Sequence, residues 1–143
     1  MNEINEKYFI KFKFTGAQIK TYLSNAYRDL EIARESSRAE VKFNYSYTAL
    51  IKAGIAVIAG VKNAKVRSIS GHHVKIIEML SKILSDDLIS AVGNAMRSKR
   101  NLDLYGGGII VSEKESEDYY EFVSKVLERT KSFLEKELKE KTK

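Results

Sequence analysis

Phe43-Asn44-Tyr45-Ser46-Tyr47-Thr48-Ala49-Leu50-Ile51-Lys52-Ala53-Gly54-Ile55-Ala56-Val57-Ile58-Ala59-Gly60-Val61 is the stretch from which the fold is read. Phe43, Tyr47, Leu50, Gly54, Val57 and Val61 recur at alternating four- and three-residue intervals, the period of an α-helix. Ala49, Ala53, Ala56, Ala59 and Gly60 add small faces that let another backbone come close. A helix that is apolar or small around most of its circumference is a buried one. The segment from about Arg38 to Val61 is therefore expected to be the central helix. Its apolar run from Ala49 to Val61 is interrupted by Lys52 and is too short to span a bilayer. Tyr45 and Tyr47 are expected to be half-buried core aromatics rather than ligand-stacking groups.

Working toward the N-terminus, Ser36-Ser37 suggests a turn, and Ile19, Leu23, Ala26, Tyr27, Leu30 and Ala33 form one apolar stripe. Thr15 is the N-cap candidate for that first helix. Residues Tyr8-Phe9-Ile10-Lys11-Phe12-Lys13-Phe14 alternate in part, which permits a short extended arm. The expectation is a lead-in that lays aromatics over the bundle. Working toward the C-terminus, Lys62 to Ile69 reads as a basic loop, and Ser70 as N-cap of a third helix carrying Val74, Ile77, Leu80 and Leu84. Asp86-Asp87 opens a fourth helix, its acids at the positive end of the dipole, with Leu88, Val92, Ala95 and Met96 or Lys99 on its inner and flanking faces. Gly106-Gly107-Gly108 is the stop signal for that helix. Ser112 with Glu115 forms a capping box for the last helix, whose apolar edge is Tyr119, Phe122, Val126, Arg129 or Thr130, and Phe133.

These patterns, together with the absence of proline, predict an all-α protein. One domain is expected, with an N-terminal arm at 1–14, a helical bundle at 15–138 and a basic tail at 139–143. A length of 143 residues suffices for a real core, and 43% hydrophobic with 31% charged residues is a globular composition. The chain contains no Cys, which excludes disulfides and thiolate chemistry and makes a reducing, cytoplasmic setting the expectation. Met1-Asn2-Glu3-Ile4-Asn5-Glu6 is acidic and polar, unlike a signal peptide, and no membrane association is expected. The formal net charge of +6 fits a polyanionic partner, and it fits equally a basic surface with no site. Lys136, Lys139, Lys141 and Lys143 supply much of the excess without forming a site.

The chemistry concentrates in Met96-Arg97-Ser98-Lys99-Arg100-Asn101-Leu102-Asp103-Leu104-Tyr105. On a helix, Arg97, Asn101 and Tyr105 (or Leu104) stack one turn apart, with Arg100 beside them. A pair of guanidinium groups, an amide and a phenol can grip a phosphodiester. The opposing reading is structural: cations are favoured at a helix C-terminus, and Tyr105 can close the core. His72 and His73 fall in the first turn of the third helix, about 100° apart, so they do not chelate one metal readily. They are read as exposed or capping residues. No metal and no cofactor is expected.

Lys99-Arg100-Asn101 followed by Tyr105 and glycines, Gly71-His72-His73 opening the preceding helix, and Ala26-Tyr27-Arg28-Asp29-Leu30-Glu31-Ile32-Ala33 in the first resemble the HEPN superfamily in order and spacing. The resemblance extends roughly from Thr15 to Leu134. It implies a four- to five-helix up-and-down bundle, usually a homodimer with the Arg-Asn helices of two subunits facing across a cleft. Many members are metal-independent RNases, often toxins, built on Arg-x(4–6)-His with a polar residue after the Arg. Carried over, Arg100 would stabilise charge on the scissile phosphate and Asn101 would position it. The catalytic His has no counterpart here: Tyr105 stands five residues after Arg100 and no His follows. A phenol of ordinary pKa is a poor base at neutral pH, leaving His72 or His73 as substitutes from another helix or subunit. Other members partner small nucleotidyltransferase subunits, and a tyrosine near the motif, here Tyr105, would be the nucleotidylation candidate.

The function so implied is an RNA- or nucleotide-binding module lined by Arg97, Lys99, Arg100, Asn101 and Tyr105, in a toxin–antitoxin or nucleotidyltransferase-partner system. Its alternatives are a metal-independent endoribonuclease using Arg100 and Asn101, and a structural dimer that docks another protein.

Overall fold

A computed structural model describes residues 7–106 and 111–141, with side chains at 7–101 and 111–140. In chain order the elements are β1 (Phe9–Lys11), α1 (Gly16–Glu35), α2 (Ala39–Lys62), β2 (Ala64–Val66), α3 (His72–Ile83), α4 (Asp87–Gly106) and α5 (Glu113–Lys141). The protein is an all-α bundle carrying one small antiparallel ribbon.

The central position of α2 follows from its sequence as expected. It packs against all four other helices, and Phe43, Tyr47, Leu50, Ala53, Val57 and Ile58 are among its fully buried residues. The small residues set how close the neighbours come. A Cβ on Gly54 would lie 2.4 Å from Ile76 Cγ2, and one on Gly60 2.6 Å from Leu134 Cδ2. On α4, Gly93 repeats the device against Ile77 and Leu50. Paired contacts give the directions. Lys42 meets Glu117 and Gly60 meets Leu134, so α5 runs along α2. Arg100 meets Tyr47 and Gly93 meets Leu50, so α4 runs against it. α1 folds back on α2 through the turn expected at Ser36-Ser37. Asp29, 2% exposed, meets Lys52 at 2.7 Å there.

Helix ends match the capping signals in most cases. Thr15 and Gln18 form a reciprocal capping box at α1, and Ser112 with Glu115 does so at α5. Asp86 accepts from Leu88 N at the start of α4, and its carboxylate also takes a hydrogen bond from Arg129 of α5. Arg129 further donates to Leu84 O at 2.8 Å, tying the α3–α4 turn to α5.

Three expectations are corrected. The lead-in at Tyr8–Phe14 and the basic loop at Lys62–Ile69 are one ribbon, with Phe9 opposite Val66, Ile10 opposite Lys65 and Lys11 opposite Ala64. Asn63, left-handed at φ 50°, ends α2 and turns the chain into β2, and Phe9 and Ala64 bury the inner face. The N-cap of α3 is Gly71 at φ 84°, not Ser70; no side chain caps this helix. A Cβ there would be strained and would meet the Tyr8 ring. α5 runs through Lys141, taking in most of the expected basic tail.

Candidate functional site

The site is assembled where α2, α3 and α4 meet. Tyr47 is fully buried on α2, and its hydroxyl needs a polar partner there. The partner is His73 in the first turn of α3, with Oη and Nδ1 2.9 Å apart. From α4, Arg100 brings its guanidinium carbon to 5.4 Å from the centre of the Tyr47 ring, within cation–π range. His72 turns its Nδ1 to Ile69 O at 2.7 Å and meets the His73 ring edge-on, 4.5 Å between centres. Arg97, one turn before Arg100, bonds through Nε to Asn94 Oδ1 at 3.4 Å.

Burial pushes the Tyr47 phenol up to about 12, although Arg100 and Arg97 pull in the other direction. Burial also pushes His73 down to about 4, helped by His72, Arg100 and Arg97, whose charges oppose a further cation. Both groups are therefore neutral at neutral pH. A neutral phenol is a good donor and an unprotonated ring nitrogen a good acceptor. We assign the hydrogen bond accordingly, with Tyr47 donating to Nδ1 and the imidazole proton on Nε2. The cluster then presents a neutral N–H donor beside two guanidinium groups, a combination matched to a phosphate oxygen.

Of the sequence-predicted residues, Arg100 touches this cluster, and Arg97 is near enough for its charge to act on Tyr47 and His73. Lys99 points elsewhere, forming an ion pair with Glu115 of α5 at 3.5 Å. Asn101 is exposed on α4. Tyr105 lies on the last turn of α4, and its side chain is outside the described residues, as are Gly107 and Gly108. By sequence Tyr47 was not singled out as a site residue, and His73 only as one of two substitutes for the missing imidazole. Tyr47 was expected to be a half-buried core aromatic and His73 an exposed or capping residue. The only sequence signal was chemical: a phenol in the most apolar helix must find a partner, but nothing in the spacing says which. Among the described residues no group of three or more His, Asp or Glu is placed to hold a metal ion. No described helix is long and apolar enough to cross a membrane.

No family model, curated protein or solved structure matches the chain.

Proposed function

We propose that this chain is a HEPN-like RNA- or nucleotide-binding module whose phosphate site is Arg97, Arg100 and His73, with Asn101 and Tyr105 assigned to it on the sequence resemblance alone. The observation that carries this reading is the Arg100–Tyr47–His73 arrangement, which holds a guanidinium and a neutral imidazole around one buried phenol. The net charge of +6 supports it in sign. Homodimerisation, and pairing with a small nucleotidyltransferase subunit in a toxin–antitoxin system, extend the proposal on the sequence resemblance alone.

The test is a salt series of binding to labelled single-stranded RNA. Arg100→Ala is expected to weaken binding and to reduce the slope of log affinity against log salt by about one phosphate contact's worth, ~0.7. Lys99→Ala, which removes a cation paired with Glu115, is expected to leave the slope nearer wild type. Unchanged affinity and slope in Arg100→Ala would remove the site.

A second reading, metal-independent RNA cleavage, is favoured by His73. It supports a supply, from α3, of the imidazole that the sequence after Arg100 lacks. In this reading the imidazole takes its other tautomer, Nδ1–H donating to the Tyr47 oxygen, so that Nε2 is free to accept the proton of the 2′-hydroxyl. The 2′-oxygen attacks phosphorus, and the 5′-oxygen leaves and is protonated by solvent. Arg100 stabilises the phosphorane charge. Cleavage in chelator that is lost in both His73→Ala and Arg100→Ala supports it; cleavage retained by either variant defeats it.

A further inference from the structure

The ribbon and the loops beside it carry charge of one sign. No Asp or Glu occurs from Lys7 to Arg28 or from Lys62 to Ile77, and Lys11, Lys13 and Lys65 are exposed within these segments. The register sets Ile10 opposite Lys65, and residues directly opposite share a face. Pairing continues past β1 through Phe12 N to Asn63 O, so Phe12 lies on the same face as Ile10. Ile10 and Phe12 are 47% and 44% exposed, among the largest apolar exposures of the described residues. Phe12 packs against Phe14 at a tilt, with 4.6 Å between ring centres, and Lys65 Nζ stands over the Phe12 ring, 5.7 Å from its centre. A braced aromatic ring whose covering ammonium group sits on a long exposed side chain is a combination that holds a base and its phosphate once the lysine swings from the ring to the phosphate.

This face is continuous with the cluster at α2, α3 and α4. Tyr8, immediately before β1, lies against Gly71, its ring 5.7 Å from Lys75 Nζ. His72 and His73 follow Gly71 directly. The ribbon and the Arg100 cluster thus meet at the first turn of α3.

We infer that the outward face of the ribbon is a second contact surface for single-stranded RNA, Phe12 stacking on a base and Lys65 holding an adjacent phosphate. This rests on the RNA-binding reading and deepens it: the ligand is an extended strand that runs from Arg100 past the start of α3 to Phe12. Two exposed apolar side chains are a stacking platform's worth, and the continuity with a phosphate-binding cluster favours a polynucleotide over a membrane.

The test uses the full chain, a labelled oligouridine long enough to cover both surfaces, and the variants Phe12→Leu, Phe12→Tyr, Lys65→Gln and Arg100→Ala, with helix content checked by circular dichroism. Phe12→Leu keeps apolar bulk and removes stacking; it is expected to weaken binding roughly fivefold to a hundredfold, and Phe12→Tyr to restore it. Lys65→Gln is expected to lower the salt slope by about 0.7. Weakening by Arg100→Ala with no effect of Phe12→Leu or Lys65→Gln overturns the ribbon surface and leaves the cluster standing. No effect of Arg100→Ala removes the cluster reading and, with it, this inference. Binding to phosphatidylserine vesicles that depends on Phe12, with oligouridine binding independent of it, assigns the face to a membrane and overturns the proposal.

Discussion

The Tyr47 hydroxyl and the Nδ1 atom of His73 lie 2.9 Å apart, joining α2 to the first turn of α3 across 26 residues of chain. The bond fixes the imidazole and anchors the one hydroxyl that the central helix carries among its largest fully buried side chains. Tyr47→Phe keeps the ring under Arg100 and removes only the bond. It is expected to cost about 0.5–1.5 kcal/mol of stability and to loosen His73, with a further loss of RNA affinity. Denaturant unfolding with binding isotherms checks both; a variant as stable as wild type would show that the bond contributes nothing.

His73 makes stability depend on pH. Its folded pKa, near 4, lies below the ordinary 6.5, so between those values the unfolded chain binds a proton that the native chain does not. Stability from this group is fully present above about 6.5, declines as pH falls toward about 4, and is level below that. For a half-buried ring the loss is about 1–2 kcal/mol after allowance for solvent screening. His73→Gln is expected to flatten the unfolding free energy across that window. In an NMR titration the His73 pKa is expected to rise in Arg97→Gln/Arg100→Gln, which removes two of the charges that oppose protonation.

Gly54 and Gly60 both sit where helices touch, yet their alanine variants are expected to differ. At Gly54 the new methyl would lie 2.4 Å from Cγ2 of Ile76, a β-branched atom held close to the α3 backbone. At Gly60 it would meet Cδ2 of Leu134, the far end of a side chain that can move. Alanine gains about 1 kcal/mol of helix propensity in either case. Gly54→Ala is expected to be destabilising by about 1–3 kcal/mol through overpacking, and Gly60→Ala closer to neutral. Thermal unfolding of the two variants decides it; the reverse order would contradict the packing account.

The Asp29–Lys52 pair is asymmetric, its side chains 3% and 38% exposed. Removing the lysine leaves a buried carboxylate without its cation, while removing the aspartate leaves an ammonium that reaches water. Lys52→Ala is therefore expected to cost about 3–5 kcal/mol, and Asp29→Ala distinctly less. Equal losses in chemical denaturation would show that Asp29 has other support.

The helices were legible because their signals are local. Thr15, Ser112 with Glu115, and the four-three spacing from Phe43 to Val61 each act within a turn or two of chain, and each element formed where those residues place it. The ribbon was less legible. Its two strands span three residues each, and β1 is stable as a strand only because β2, more than fifty residues away, supplies its hydrogen bonds. The cap of α3 was misplaced for the same kind of reason: Gly71 takes its left-handed turn where the Tyr8 ring covers it, a contact that no local pattern records.

By itself the sequence determined an all-α bundle, the central place of α2, and the presence of Arg97 and Arg100 on one helix, since periodicity and capping are properties of neighbouring residues. Only the tertiary structure decided that Lys99 turns to Glu115 and that Tyr47 and His73 join Arg100. Those pairings depend on how three helices cross, and the crossing is set by packing among Gly54, Ile76, Gly93 and Leu50, which the order of residues along one helix does not encode.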